Sequence, residues 1–334
     1  MSANHRPVLV VGLPRSGTTW TESVLGTAVD ASIVSEPDNE KLSAPAIWAK
    51  RSLGRFPVMS AGDEAPAYRR LWRWALTGAP TSRSLRAAQR LVERSDREEV
   101  EQLVEGRPSP QLRIAGILGS RPGFGEVPGV LVAKSVHACL AIDWIVTKFD
   151  LDVLVVLRHP ANVLSSWLEL DLPDRDRDLA GNPRVGKRFL DAWDVPLPGT
   201  GQVERAAWQV GLLTAALEQS AYAHTDWVVR THEQICTDPD GEFRSLFLDL
   251  GLTWGPTTSE LLELSDKPGS GFTLNRKSSE LADSWRARLD PGVVDILGRV
   301  LRPFPIKTWD PTDLSAQTSG STEWLAPRTL RYPR

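Results

Sequence analysis

Cysteine is scarce in this chain of 334 residues, which contains only Cys139 and Cys236. The two are far apart and belong to no Cys/His cluster with metal-ligand spacing, so neither a disulfide framework nor a zinc site is indicated. Long hydrophobic runs are lacking as well: the longest apolar stretches have only the length of a β-strand, which indicates no membrane span or stable membrane insertion. Residues 1–7 carry no apolar signal segment. We therefore expect a cytoplasmic protein.

Charge of one sign is not in excess either, because 39 Lys and Arg residues face 42 Asp and Glu residues, a formal net charge of −3. This balance gives no general electrostatic drive toward nucleic acid or an anionic membrane. We expect no nucleic-acid partner, and any anion site must be local. Hydrophobic residues at 41% and charged residues at 24% are ordinary for globular proteins and exclude wholesale disorder.

Short apolar runs rich in Val, Ile and Leu are continuous rather than alternating, which is typical of buried parallel strands. Segments with helical patterning lie between or after them. The repeated order of strand and helix predicts a doubly wound α/β fold, with a central parallel sheet flanked by helices and ligands bound at the carboxyl ends of the strands. The predicted strands are Val8–Val11, Val130–Ala133, Val153–Leu157 and Trp227–Val229, and the predicted helices are Thr19–Ala28, Ala138–Lys148, Ala161–Leu170, Glu204–Ala223, Phe243–Leu250 and Pro291–Leu301.

A single domain is predicted over residues 1–310, followed by a C-terminal tail over 311–334. Within the domain, Glu40–Pro128 interrupts the alternation with helix-favouring, Arg-rich sequence and predicts a helical insertion. The segment Asp171–Gln202 is charged and rich in Pro and Gly, which predicts a long surface loop.

The strongest motif is a strand, a glycine-bearing loop and a helix start over Val8–Trp20. Backbone N–H groups at a helix N-terminus bind phosphate or sulfate groups, and glycine permits a close approach of the backbone. The spacing from Gly12 to Gly17 imitates the nucleotide-binding P-loop, but Thr18 stands where the P-loop has its lysine. A kinase or ATPase that uses Mg-ATP is therefore less favoured, while Arg15 still supplies a cation within the loop. A plain strand-to-helix turn is the structural alternative.

At these residues the sequence resembles the sulfotransferases that use 3′-phosphoadenosine 5′-phosphosulfate (PAPS). Their 5′-phosphosulfate loop has Pro, Lys or Arg, Ser, Gly, Thr and Thr before an apolar residue. The resemblance implies a fold similar to that of the P-loop NTPases and PAPS as co-substrate. It also implies that the donor is bound by Pro14, Arg15, Ser16, Gly17, Thr18, Thr19 and Trp20.

A second motif strengthens the resemblance. The family places an arginine at the end of a strand and a serine eight positions later in the next helix, and the two bind the 3′-phosphate. Here Arg158 follows the run Val153–Leu157, and Ser166 lies eight positions after it. One guanidinium and one hydroxyl can converge on one phosphate.

Two weaker similarities extend the match. The segment Val228–Ile235 resembles a family strand and loop in which a tyrosine stands where this chain has His232, so either an adenine contact or a structural role is open for this histidine. Arg276 and Lys277, with Trp285 downstream, resemble the segment that closes on the 3′-phosphate, although a solvated loop would also carry such charges.

Catalysis of sulfuryl transfer needs a base for the acceptor proton and cations for the leaving phosphate. Arg15 is a natural cation, and Lys134 matches a lysine that many family members place upstream of the 3′-phosphate strand. Glu36 lies close to where the tyrosylprotein sulfotransferases carry their catalytic glutamate, whereas His137 is one position out of the Lys-x-His register of the small-molecule enzymes. We favour Glu36 over His137 as the base. The transferred group carries a single negative charge, so we expect no metal.

The predicted function is sulfuryl transfer from PAPS to a hydroxyl or amine, leaving adenosine 3′,5′-bisphosphate (PAP). The expected acceptor is a small molecule, a carbohydrate, a lipid or a peptide, since loop variation sets such choices. Two alternatives stay open: a P-loop-like small-molecule kinase, and a non-catalytic nucleotide-binding protein of the same fold. The oligomeric state has no signature in the sequence.

Overall fold

The β-strands in the described part of the chain all belong to parallel pairs. The computed structural model describes residues 6–77, 83–96, 98–99, 102, 107–120, 129–170, 179–265 and 284–315. Five strands lie in these ranges, and helices lie between them along the chain, so the predicted α/β class is confirmed. The strands are β1 (Val8–Val11), β2 (Ala31–Ser35), β3 (Val130–Ser135), β4 (Asp152–Leu157) and β5 (Val228–Thr231).

The chain divides into two compact units that are not contiguous in sequence. The first unit contains the residues up to Val11 together with 30–153, and the second contains 12–29 together with the residues from 154 onward. The chain therefore passes from one unit to the other three times, after Val11, after Val29 and after Val153.

In the first unit, β3 lies between β2 and β1, with all three strands parallel. Lys134 of β3 is in register with Val10 of β1 and with Ser35 of β2. The carboxyl ends of the three strands are therefore level. The backbone N–H of Glu36, the residue after β2, donates to the Lys134 carbonyl at 2.7 Å and extends this pairing.

The predicted helical insertion does contain four helices in its described residues, all in the first unit. Their apolar faces make a core of their own, in which Ile47, Leu85 and Leu112 are buried together. The helices of the first unit are α2 (Ala44–Ala49), α3 (Pro66–Thr77), α4 (Arg83–Glu93), α5 (Pro110–Gly119) and α6 (Ile142–Lys148), the last preceded by a 3₁₀ turn over Ala138–Leu140.

In the second unit, β4 and β5 are parallel, and Val156 is in register with Arg230. Its long helix α8 packs against α7 and α13. Thr231 starts α9 with a capping box. The Gln234 N–H donates to Thr231 Oγ1, and Gln234 Oε1 accepts from the Thr231 N–H. The helices of this unit are α1 (Thr18–Leu25), α7 (Pro160–Glu169), α8 (Gln202–Ala223), α9 (His232–Thr237), α10 (Pro239–Asp249), α11 (Pro256–Ser265), α12 (Trp285–Arg288) and α13 (Pro291–Leu301).

The secondary structure differs from the sequence-based expectations in two places. Strand β2 was not predicted, and the long loop expected over Asp171–Gln202 contains helical turns in its described part. Asn182 caps these turns by accepting from the Arg184 N–H at 3.0 Å, and Pro183 fits their first position. The turns are an α turn at Pro183–Val185, a π turn at Gly186–Leu190 and an α turn at Asp191–Trp193.

None of the helices within the described ranges is both long enough and apolar enough to cross a membrane. Cys139 and Cys236 are both buried and are not joined in a disulfide.

Candidate active site

The loop between β1 and α1 has the backbone of an anion-binding turn. The Ser16 N–H donates to the Leu13 carbonyl at 3.0 Å, and both Arg15 (φ 73°) and Gly17 (φ 89°) adopt left-handed conformations. Gly17 is the N-cap of α1 and offers no side chain to bond the first-turn N–H groups. These N–H groups, at the positive end of the helix, are suited to bind an oxyanion.

Two of the three hydroxyl-bearing residues at positions 16–19 are buried. Ser16 and Thr18 are buried, whereas Thr19 is exposed. Within the described part of the chain, Ser16 Oγ has no hydrogen-bond partner. A buried hydroxyl without a partner is costly, and an anion held by the loop would satisfy it. Trp20 packs edge-on against Phe243, with ring centroids 5.2 Å apart.

The loop is anchored to α7 and to the end of β4 by side chains that bond its carbonyl groups. Trp167 Nε1 donates to the Pro14 carbonyl at 2.9 Å, and Arg158 Nη1 donates to the Arg15 carbonyl at 2.6 Å. Arg15 Nε in turn donates to Ser166 Oγ at 3.0 Å. The structure therefore brings together Arg15, Arg158 and Ser166, which the sequence predicted as anion-binding residues, and it adds Trp167.

Arg158 is a buried cation close to a second cation. Burial lowers the pKa of Arg158 to about 10, Glu233 opposes this shift, and the positive charge of Arg15 adds to it. Arg158 Nε is buried and lacks a hydrogen-bond partner in the described ranges. The guanidinium remains charged at neutral pH, and a phosphate beside it would offset both the burial and the like charge.

Glu233 and Asn162 are site residues that the sequence did not predict. Glu233 Oε1 accepts from the His159 N–H and from Asn162 Nδ2, both at 3.1 Å. Burial raises the pKa of Glu233, and Arg158 opposes this shift. The signal that could have found Glu233 is its position next to His232, shortly after the predicted strand Trp227–Val229.

His232 supports the loop from the side. A Cβ atom built on Gly17 would lie 2.1 Å from His232 Cδ2, so the imidazole occupies the space that a larger residue at position 17 would need. His232 is buried, and its Nδ1 lies 3.5 Å from Cys236 Sγ. The contact with Gly17 gives this histidine a structural role at the loop.

In the first unit, Glu36 and Lys134 form an ion pair at the end of β2 and β3. Lys134 Nζ lies 2.6 Å from Glu36 Oε1. The Lys134 side chain is 2% exposed and that of Glu36 15% exposed, so the carboxylate keeps contact with solvent. Glu36 itself has a left-handed backbone (φ 47°), which turns the chain directly after β2.

His137 lies in a different environment, within a buried charged cluster of the same unit. It is fully buried, and its Nδ1 lies 3.5 Å from Lys50 Nζ, which pairs with Glu40 Oε1 at 2.9 Å. Burial lowers the pKa of Lys50, and Glu40 opposes this shift. The Phe56 ring covers the imidazole edge-on at 5.3 Å. Of the two candidate bases, Glu36 is the one whose side chain reaches solvent.

A comparison with protein families identifies the chain. The model described as "Sulfotransferase family" matches residues 7–256, about three quarters of the length. The protein belongs to the sulfotransferase family. The matched range contains every site residue described above. Arg276 and Lys277 lie outside that range and also outside the described residues.

Solved structures similar to this sulfotransferase share little sequence with it. The Sulfotransferase Domain from the Curacin Biosynthetic Pathway is 14% identical, with a TM-score of 0.45, over 90% of this chain and 98% of that one. Mouse sulfotransferase SULT7A1 complexed with PAP is 10% identical (TM-score 0.38; 90% and 84% covered). Sulfotransferase STF1 from Mycobacterium tuberculosis H37Rv is 16% identical (TM-score 0.33; 86% and 78% covered). Among curated proteins, no sequence matches this sulfotransferase.

Among the residues described for this sulfotransferase, no group of three or more His, Cys, Asp or Glu side chains is arranged to hold a metal ion.

Proposed function

We propose that this sulfotransferase moves a sulfuryl group from PAPS to a hydroxyl or amine of its acceptor and releases PAP. The observation that carries the proposal is the convergence of Arg15, Arg158 and Ser166 beside the loop before α1. Two guanidinium groups and a hydroxyl group that lie next to one another suit a phosphate group, because the planar guanidinium can donate two parallel hydrogen bonds to two phosphate oxygens. Membership of the family supports the same reaction class.

Donor binding is divided between two parts of the second unit. The first-turn N–H groups of α1, with Ser16 and Thr18, suit the 5′-phosphosulfate. Arg158 and Ser166 suit the 3′-phosphate, as the resemblance implies. The buried Ser16 Oγ and Arg158 Nε, each without a partner in the described part of the chain, are groups that such a ligand would satisfy.

The chemistry assigns one base and two cations. The acceptor oxygen or nitrogen forms a bond to sulfur while the bond from sulfur to the bridging phosphate oxygen breaks. The acceptor proton goes to the Glu36 carboxylate, and the electron pair of the broken bond stays on the PAP phosphate. Lys134 and Arg15 stabilise the charge that develops there. The partial exposure of Glu36, against the full burial of His137, supports Glu36 as the base.

Calorimetric titration with PAP, AMP and ATP tests the donor assignment. We expect PAP to bind at least tenfold more tightly than AMP, because charge-assisted hydrogen bonds contribute about 1.5–3 kcal/mol each. Labelled PAPS incubated with a library of phenols, alcohols, sugars, lipids, peptides and amines then tests catalysis. Tighter binding of ATP than of PAP would favour a kinase. Tight PAP binding without turnover on any acceptor or on water would favour a binding protein.

A further inference from the structure

Both oxygens of the Glu36 carboxylate are engaged by neighbouring side chains. Lys134 Nζ lies 2.6 Å from Oε1, and Asn39 Nδ2 donates to Oε2. A carboxylate held at both oxygens has a fixed orientation. Lys134 is already assigned to the leaving phosphate, whereas Asn39 has no assigned role.

Asn39 is itself fixed by the turn that follows β2. Its backbone N–H donates to the Glu36 carbonyl at 3.0 Å, and its Oδ1 accepts from the Lys41 N–H at 3.1 Å. With Oδ1 bonded to an N–H group, the amide nitrogen is the atom that faces Glu36. Asn39 is buried, so this orientation is held within the fold.

The adjacent Asp38 fastens the turn to β3 and α3. Asp38 Oδ1 accepts from Ser135 Oγ at 2.7 Å, and Oδ2 accepts from the Tyr68 hydroxyl at 3.2 Å. Lys50 Nζ donates to the Asp38 carbonyl at 2.8 Å. Burial raises the pKa of Asp38, and Lys50 opposes this shift. The turn is therefore held from three directions, and Asn39 lies next to the fastened residue.

We infer that Asn39 is a positioning residue, which holds the Glu36 carboxylate in its reactive orientation through the hydrogen bond from Nδ2 to Oε2. The inference rests on the proposed role of Glu36 as the base. In this role Asn39 acts through Glu36 and takes no direct part in binding PAPS or the sulfuryl acceptor. Its hydrogen bond to Oε2 holds the carboxylate at the oxygen that Lys134 does not contact.

The test variant is Asn39→Asp, because aspartate keeps the size and the acceptor for the Lys41 N–H but loses the donor to Glu36. The matched control is Asn182→Asp, since Asn182 Oδ1 makes the same kind of turn by accepting from the Arg184 N–H at 3.0 Å. Turnover of labelled PAPS is followed with the best library acceptor and with water alone. Affinity for PAP by calorimetry checks folding.

We expect Asn39→Asp to lower kcat about ten- to hundredfold, as is usual for a hydrogen bond to a charged group. The acidic limb of the kcat profile should move to higher pH, because a like charge replaces a donor beside the base. PAP affinity should stay within twofold, and Asn182→Asp should keep the wild-type kcat and profile. A kcat loss without a shifted limb, or an equal loss in the control, would overturn the inference.

The double variant Asn39→Asp with Glu36→Gln separates the inference from the proposed function. If Asn39 acts through Glu36, the double variant should be no slower than Glu36→Gln alone. Additive losses would show that Asn39 acts elsewhere, while the base assignment would stand. Near wild-type turnover of Glu36→Gln would instead refute the base assignment and the inference with it.

Discussion

Ser165 and Ser166 are neighbours on α7, and both are buried, yet they differ in their contacts. Ser166 Oγ accepts from Arg15 Nε, whereas Ser165 Oγ has no partner among the described residues. We expect Ser166→Ala to weaken PAP binding about fivefold, because a typical hydrogen bond contributes about 1 kcal/mol. AMP, which lacks the 3′-phosphate, should bind as before. Calorimetry with both nucleotides measures the effect.

Ser165→Ala is the control for this prediction and should leave PAP affinity unchanged. Arg158→Ala should weaken PAP at least tenfold. Because Arg158 also holds the loop at the Arg15 carbonyl, a smaller loss for AMP is expected as well. Equal losses for the two nucleotides in Ser166→Ala would contradict the assignment of Ser166 to the 3′-phosphate.

The two candidate bases make opposite forecasts for two single substitutions. Glu36→Gln keeps the shape and removes the basicity, so kcat should fall about 10²–10⁴-fold, the usual contribution of a positioned base. His137→Asn should leave kcat nearly intact, because the imidazole lies within a buried charged cluster. Turnover at saturating PAPS measures both, and unchanged PAP affinity confirms that each variant is folded. A large loss in His137→Asn alone would transfer the base to this histidine.

Gly17 and Gly54 provide a matched pair of left-handed glycines. Gly17 has φ 89° with His232 in the space of its missing Cβ, whereas Gly54 has φ 74° and nothing within 4 Å. Alanine at either position is strained by about 1–2 kcal/mol. Only Gly17→Ala must also displace His232, so it should show the lower Tm and at least a tenfold loss of PAP affinity.

Restoring space should reverse part of this effect. In the double variant Gly17→Ala with His232→Ala, PAP affinity should recover toward that of His232→Ala alone. Equal Tm and equal PAP affinity in Gly17→Ala and Gly54→Ala would show that the imidazole does not constrain the loop.

At the scale of the elements, a buried carboxylate joins α8 to the chain after α13. Glu218 on α8 accepts from the Lys307 N–H at 2.6 Å and from the Thr308 N–H at 3.3 Å. Burial raises the pKa of Glu218 to about 6 from its ordinary 4.5, despite these hydrogen bonds. The folded state therefore holds a proton that the unfolded state has released between these pH values.

The sign of this linkage gives a prediction for stability. The contribution of Glu218 is fully present below pH 4.5 and is lost as pH rises through about 6. The loss corresponds to about 2 kcal/mol of unfolding free energy. Glu218→Gln should flatten the pH dependence of the unfolding free energy between pH 4 and 7 by that amount, measured by urea denaturation. The control is Glu260→Gln, at an exposed position, which should keep the wild-type slope of the unfolding free energy against pH. The same wild-type slope in Glu218→Gln would refute the prediction.

The elements that the sequence revealed are those with continuous apolar runs. Strands β1, β3, β4 and β5 were predicted to within a few residues, because all their central side chains are buried. Strand β2 was missed because Ala31–Ser35 is partly exposed and mixes serine with apolar residues. Its sequence carries neither a continuous run nor a clean alternation over enough residues to be recognised.

The site shows the same division between local patterns and distant contacts. The resemblance to the family, which spaces its arginine and serine eight positions apart, implied that Arg158 and Ser166 act together, and the structure places both against Arg15. Trp167 donates to the Pro14 carbonyl, which lies 153 positions earlier in the chain, and a local pattern does not predict such a contact. Asn39 was not predicted as a site residue, because the role of a buried amide depends on its hydrogen-bond partners, and sequence periodicity does not show them.

For the molecule as a whole, the chain's own cations should make turnover independent of divalent metal. The sulfuryl group carries one negative charge, so the cations proposed for the leaving phosphate, Arg15 and Lys134, take the place that magnesium has in phosphoryl transfer. We expect kcat with the best acceptor to stay within twofold in excess EDTA. Loss of activity in EDTA, restored by magnesium, would favour the kinase reaction.

The three passages of the chain between its units limit how this protein can be recombined with its relatives. A chimera joined after Val153 would exchange nearly all of the second unit but keep residues 12–29 from the first parent. Arg15 would then come from one parent, and the residues at positions 158 and 166 from the other. The two hydrogen bonds that join them, Arg15 Nε to Ser166 Oγ at 3.0 Å and Arg158 Nη1 to the Arg15 carbonyl at 2.6 Å, depend on a close fit between these parts. Functional chimeras should therefore need two exchanged segments, with the loop inherited from the same parent as α7.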